Sequence, residues 1–330
     1  MGMCMKIIAL ALAAVLAAVP AAAQPVVGVA IYREDDTFLY FVREAMEQAA
    51  EGRASLGVRF AENSQYVQNG QISRHLDLGV DVMAVNMVDA ASSPLIQEKI
   101  GAFGIPVVFF NNEPDAVDMP AEGWYYVGTR AEQSGIMAGE IMADYFRDNP
   151  QADMNGDGVI QGVILKGSIG NLHAELRTEY CVKAFREAGF DFSMIAVETA
   201  NWQRAEAREV MAEWLNSYTC IEAVFANNDD MALGAIDALK AAGYFTAGRY
   251  IPIVGVDATA QAIEAMREGT LVGTVLNDAA NLGRATLNLS LALAKGLPLT
   301  EENVDYPVTG GRYVWIPHAK VTIDSLPPDG

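Results

Sequence analysis

Asp153, Asn155, Asp157 and Gln161 place side-chain oxygens at positions one, three, five and nine of the run Asp153-Met154-Asn155-Gly156-Asp157-Gly158-Val159-Ile160-Gln161. Gly158 stands at position six, where a cation loop turns sharply, and Val159 at seven offers its carbonyl. Ile160 at eight is apolar and can pin the loop to a core. These are the first nine residues of an EF-hand-type loop, suited to a hard cation that prefers oxygen ligands. Position twelve should carry a bidentate Glu and is Ile164, inside an apolar run. Either the site is degenerate, or its last carboxylate comes from elsewhere in the fold. An Asp/Asn/Gly-rich turn is the structural alternative.

A second set of polar residues follows apolar runs: Asn111 after VVFF, Asn228 after VFAN, Asp257 after IVGV and Asn277 after GTVL. In open α/β sheets, ligands bind beyond the carboxyl ends of the strands. The same positions are common helix N-caps. Four of them, with aromatic residues in the segments that follow, favour a binding site over caps alone. Other chemistry finds less support. His75 and His318 have no evident nucleophile or metal-ligand partner and read as surface or structural. Lys166-Gly167-Ser168-Ile169-Gly170 lacks the glycine–lysine spacing of a phosphate loop. Asp36 and Asp257 could form a carboxylate pair in a secreted sugar-acting enzyme, but no GxGxxG or nucleophile elbow accompanies them.

The elements that must hold these residues alternate. Strand-like runs at Val26–Tyr32, Val58–Ala61, Val82–Asn86 and Val107–Phe110 are separated by helical patterns such as Phe38–Glu51. The scheme repeats at Val159–Leu165, Met194–Val197, Ala223–Ala226, Ile253–Val256 and Val272–Leu276. Near-continuous apolar strands between helices predict an α/β fold with parallel sheets covered on both faces. At 330 residues, two such lobes are expected. A net charge of -20 excludes nucleic acid as a partner, because phosphate binding needs clustered Lys and Arg. Lys6, the apolar run Ile7–Val19 and Ala21-Ala22-Ala23 describe a secretory signal peptide over residues 1–23, cleaved near Ala23. Cys4 leaves with it. Cys181 and Cys220 remain, either bridged or as two separate thiols.

The blocks YREDDTF, VVFFNNEP, YYVGT, DMNGDG, ANWQRAEA, ANNDDMALGAIDALK, VGVDA and GTVLNDA, in this order, closely resemble the periplasmic galactose/glucose-binding protein family. The likeness runs from about Val26 to near the C-terminus. It implies a soluble periplasmic receptor, monomeric, that serves the membrane permease of a sugar ABC transporter and a chemoreceptor. It also implies two doubly wound lobes joined by three crossovers near Gly128, Asn277 and Gly311. The N-terminal lobe would comprise residues 26–128 and 278–311, and the C-terminal lobe residues 129–277 and 312–330. The resemblance supplies Glu222 as the missing carboxylate, so the calcium ligands would be Asp153, Asn155, Asp157, Gln161 and Glu222 with the Val159 carbonyl, in a structural role. It assigns Asp36, Phe38, Asn111, Arg177, Trp202, Asn228, Asp257 and Asn277 to a monosaccharide. Phe38 and Trp202 would sandwich the apolar C–H faces while the polar groups satisfy the hydroxyl rim. Two further site positions depart: Asn171 stands where the family has His, and His173 where it has Asp. D-glucose or D-galactose remains the expected sugar, with a pentose or a uronic acid beside His173 and Arg177 as alternatives. The effector domain of a sugar-responsive repressor shares this architecture, but the signal peptide and the absence of a basic helix-turn-helix speak against it.

Overall fold

The computed structural model describes residues 24–115, 119–246 and 248–327. The expected leader, residues 1–23 with Cys4, lies outside them. The first sheet contains β1 (Val26–Ile31), β2 (Ser55–Phe60), β3 (Val82–Val85), β4 (Val107–Phe110), β5 (Trp124–Gly128) and β11 (Tyr313–Trp315), in the order β11-β5-β4-β3-β1-β2. All its pairings are parallel. The second contains β6 (Val159–Lys166), β7 (Asp191–Thr199), β8 (Ala223–Ala226), β9 (Ile253–Val254), β10 (Gly273–Leu276) and β12 (Ala319–Thr322), in the order β12-β10-β9-β8-β6-β7. Only the edge strand β12 runs antiparallel, against β10.

The inner strands of each sheet are buried on both faces, which is why β3, β4 and β8 read as unbroken apolar runs. In β4, Val108 and Phe110 enter the core beneath α1 (Thr37–Ala50) and α9 (Ala279–Ala294). Val107 and Phe109 enter the opposite core, with Ile72 of α2 (Gln65–Asp77) and Ile96 of α3 (Ser93–Gly101). In the second lobe one core lies under α6 (Arg204–Ser217), α7 (Asp229–Ala241) and α8 (Ala260–Arg267). The other lies under α4 (Ala131–Asp148) and α5 (Leu172–Glu187). Cys181 is buried in that last core and Cys220 is half-buried; both are free thiols.

The third crossing differs from expectation. Residues 312–330 were expected in the second lobe, yet β11 pairs with β5 in the first sheet, Tyr313 opposite Tyr126 and Trp315 opposite Gly128. Gly310 and Gly311, at φ 59° and 72°, form a tight turn into β11, closed by Thr309 N–H donating to Tyr313 O at 2.7 Å. Aromatic packing then holds the strand in place. Tyr313 and Trp315 stack at 5.5 Å, and Tyr126 meets Trp315 edge-on at 5.4 Å. The chain passes to the second sheet only after Trp315.

Helices that cover a sheet together cross closely at glycine. A Cβ on Gly283 of α9 would sit 2.3 Å from the Val42 carbonyl oxygen of α1. Gly283→Ala should therefore cost about 1–3 kcal/mol through overpacking. Gly70 in α2 has nothing within 4 Å of its would-be Cβ, so Gly70→Ala should gain about 1 kcal/mol from helix propensity. Urea unfolding of the two variants beside the parent checks both signs.

Candidate functional site

The carboxyl ends of both sheets face one cavity of about 920 Å3, within the roughly 300–1,000 Å3 usual for small-molecule sites. All ten expected sugar residues line it: Asp36, Phe38, Asn111, Asn171, His173, Arg177, Trp202, Asn228, Asp257 and Asn277. Three of them are also helix N-caps, so the cap and site readings both hold. Asp36 Oδ1 accepts from Leu39 N at 2.9 Å to start α1, while its Oδ2 accepts from the Tyr32 hydroxyl at 2.5 Å. Asn171 Oδ1 caps α5 through Ala174 N, and Asn228 Oδ1 caps α7 through Met231 N. The positive ends of three helix dipoles thus point at the cavity.

Backbone strain gathers at the same place. Asn111 (φ 60°), Asn201 (48°), Trp202 (66°) and Asp257 (126°) adopt positive φ without being glycine, and all four line the cavity. Such conformations persist where the surroundings over-determine them, as binding sites do. Trp202 further depends on Gly167, where a Cβ would come within 2.2 Å of the indole. The glycine of the Lys166–Gly170 stretch thus makes room for an aromatic wall.

Burial sets the charges. Arg177 is 5 % exposed, donates from Nε to Ser134 Oγ at 3.1 Å and from Nη1 to the Asn227 carbonyl at 2.8 Å, and leaves Nη2 for the cavity. Its guanidinium lies 5.9 Å from the Trp202 ring centre. Burial pushes His173 down to about 3, aided by Arg177 and His318 and opposed by a hydrogen bond to the Asn111 backbone, so its ring is neutral. Burial also holds Asp257 well above the usual carboxylate range, against the pull of Arg177 and of Asn277, whose Nδ2 donates to Asp257 Oδ1 at 3.1 Å.

The lobes touch across the cavity. Arg33 Nη1 donates to Asn201 O at 3.3 Å, Thr37 Oγ1 to Asp230 Oδ2 at 2.6 Å, and Asn171 Nδ2 to Asn112 Oδ1 at 3.3 Å. Tyr32, Asn63, Asn112, Glu113 and Asn201 line the cavity without having been singled out from sequence. Tyr32, Asn112 and Glu113 stand at or inside the quoted YREDDTF and VVFFNNEP blocks, which was the available signal. Neither isolated histidine is at the surface. His75 is 2 % exposed against the glycines of β1 and β2, and His318 is 8 % exposed beside the third crossing.

The acidic loop closes as its spacing suggests, with Glu222 folded onto it. Glu222 is fully buried and accepts from the backbone N–H groups of Met154 (2.6 Å), Asn155 (3.3 Å) and Gln161 (2.9 Å). Asp153 accepts from Gly156 N and Gly158 N, and Asp157 from Val159 N. Asn155 Nδ2 donates to Asp157 Oδ2 at 3.1 Å and Gln161 Oε1 at 2.8 Å, so an amide hydrogen-bond donor sits among the oxygens. Among the described residues no three His, Cys, Asp or Glu side chains are gathered as a metal cluster; the loop is closed on its own amides. The donor set is nevertheless all oxygen, the chemistry a hard cation takes.

Two parallel-sheet lobes with a polar, aromatic-walled cavity between their strand ends define a two-lobe solute-binding protein. Residues 27–298 match the periplasmic binding protein domain, and the chain belongs to that family, which binds solutes and is not enzymatic. It is 38% identical over 324 residues to the D-galactose/methyl-galactoside binding periplasmic protein MglB of Haemophilus influenzae, covering 97% of this chain and 96% of that one. A putative rhizopine-binding protein of Rhizobium meliloti is 31% identical and covers 98% of both chains. An ABC transporter solute binding protein from Bacillus halodurans, solved with myo-inositol, superposes with a TM-score of 0.76 at 31% identity, over 92% of this chain and 96% of that one.

The depressed His173 has a measurable consequence. A ring held at about 3 in the fold, against 6.5 when exposed, contributes stability that is complete above 6.5 and drains as pH falls towards 3. Asp229, raised to about 7 by burial, acts in the opposite sense and loses stability as pH rises through the range from 3.8 to 7. The difference between parent and His173→Gln cancels Asp229. It should shrink by up to about 1.4 kcal/mol per pH unit below 6.5. Unfolding curves from pH 7 to 4 read it, and a difference flat in pH would refute the assignment.

Proposed function

We propose that this protein is the periplasmic receptor of an ABC sugar importer, binding a neutral hexose, D-glucose or D-galactose, between its lobes. The observation that carries the reading is the cavity itself. Phe38 offers an aromatic wall from the first lobe and Trp202 one from the second, among amides, carboxylates and one guanidinium. A pyranose has apolar faces and a rim of hydroxyls that both donate and accept, and this lining answers both. The full-length likeness to a galactose-binding relative supports the hexose. The charge balance disfavours a uronic acid. His173 is neutral, and Arg177 faces a cavity also lined by Asp36, Asp89, Glu113 and Asp115. A cyclitol is the second reading, supported by the myo-inositol complex of the structural neighbour and by the loss of a carboxylate at position 173.

Closing of the two lobes around the sugar would present the permease, and a chemoreceptor, with the joined surface of a single monomer. The interlobe hydrogen bonds of Arg33, Thr37 and Asn171 support such closure. We also assign calcium to the loop: Asp153, Asn155, Asp157, Gln161 and Glu222 would hold it with the Val159 carbonyl. A bound cation would cross-link the loop to β8, a structural role. The buried carboxylate of Glu222, which draws three backbone amides of the loop onto itself, supports this.

Calorimetric titration of ligand-stripped protein with galactose, glucose, xylose, galacturonic acid and myo-inositol tests the reading. We expect saturable one-to-one binding of a hexose, weakened about tenfold or more by Trp202→Ala and by Arg177→Ala. A response to myo-inositol alone would establish the second reading, and silence across the panel would overturn both. For the loop, adding calcium to chelator-treated protein should raise Tm, and Glu222→Gln should abolish that rise. An equal rise in the variant would remove the calcium assignment.

A further inference from the structure

The crossings between the lobes carry buried polar atoms that no protein group answers. Asn277 ends β10 and faces His318 across the β10–β12 pair, because Leu276 is opposite Ala319 in antiparallel register. Asn277 is 3 % exposed and His318 8 %. Asn277 Nδ2 is committed to Asp257, which leaves Oδ1, a pure acceptor, buried and without a protein donor. His318 Nδ1 lies 2.9 Å from the Leu276 carbonyl oxygen, so Nδ1 carries the proton and donates. Its Nε2 is then a bare lone pair, also buried and without a protein donor. Burial first, and Arg177 second, depress this ring to about 4, which keeps that lone pair available at neutral pH.

Two buried acceptors on facing residues cannot satisfy each other; they need a molecule with two protons to give. The remaining crossing supplies the complement. Thr129 follows β5, is 2 % exposed, and its hydroxyl is buried without a protein partner. The third crossing borders both others, since β11 lies beside β5 in one sheet and β12 beside β10 in the other.

We propose that the hinge holds a water site at the edge of the sugar cavity, behind Asn277, in which one molecule donates to Asn277 Oδ1 and His318 Nε2 and accepts from Thr129 Oγ1. A water has two donors and two acceptors, and buried waters characteristically bind about three otherwise unpaired polar groups. The site joins all three crossings. It also reaches the sugar cavity through Asn277, which orients Asp257. His318 is therefore a positioning residue: it touches no ligand, and acts on Asp257 by way of the water and Asn277.

Neutron diffraction from a crystal of the closed protein exchanged into D2O tests this whichever sugar is bound. We expect a D2O molecule with its two deuterons directed at Asn277 Oδ1 and His318 Nε2, and a deuteron on His318 Nδ1. Absence of solvent there, or a deuteron on Nε2, would overturn the proposal. Thr129→Val removes one partner while keeping the side-chain shape. It should weaken affinity for the bound sugar roughly threefold to tenfold, with the order of preference among sugars unchanged, and Thr129→Ser should restore it. Equal affinity in the parent and Thr129→Val, with the water undisturbed, would remove Thr129 from the site. A shared failure of all variants to bind any sugar would instead count against the receptor reading, and the diffraction result would still decide the water site.

Discussion

Short polar side chains close the first turns of α1, α5 and α7 by accepting from backbone N–H groups, and the site depends on those bonds. A helix N-terminus leaves donors that must be answered. Asp36, Asn171 and Asn228 answer one each with a single oxygen and keep their other polar atom for the lobe interface or the cavity. Asp36 receives Tyr32, Asn171 reaches Asn112 in the other lobe, and Asn228 holds the Trp202 carbonyl. Truncating any of the three would fray a helix and loosen the cavity wall together, because one side chain serves both ends.

The buried ionisable groups extend this economy. Arg177 spends two nitrogens on second-lobe oxygens, so a cation with little access to water is held in a fixed direction. Its presence keeps His173 and His318 neutral, in addition to their burial. The neutral His173 ring, hydrogen-bonded to the Asn111 backbone, keeps its other nitrogen as an acceptor for a ligand hydroxyl. The cost of desolvating Asp257 is partly offset by Arg177 and Asn277. Selectivity then arises because a misplaced hydroxyl would leave such groups unpaired.

Much of this was legible in the residues. Fully buried strands announce themselves as apolar runs, so β1, β4 and β8 were evident, and polar residues at their carboxyl ends pointed to the cavity. The nine-residue loop spacing was equally plain, whereas Glu222 lies 61 residues beyond Gln161 and entered only through a family likeness. The strand β11 was misplaced because its allegiance is decided by Tyr126 and Trp315 meeting edge-on, a contact between distant segments. His318 looked inert for the same reason. Its importance comes from the carbonyl and asparagine opposite it, and a lone histidine in sequence has neither.

The first lobe is interrupted by most of the second: α9, which covers α1, and β11, which flanks β5, lie after β10 in the chain, and only β12 of the second sheet follows them. A polypeptide that emerges amino end first through a narrow pore would present five of the six strands of the second sheet while the first lobe still lacked a helix and an edge strand. Val42 and Met46 of α1, and the open side of β5, would meanwhile face solvent. Unpaired edges and uncovered apolar faces are what holding chaperones recognise. The order of elements along the chain thus leaves the amino-terminal half unfinished until α9 and β11 have emerged, and in need of protection until then.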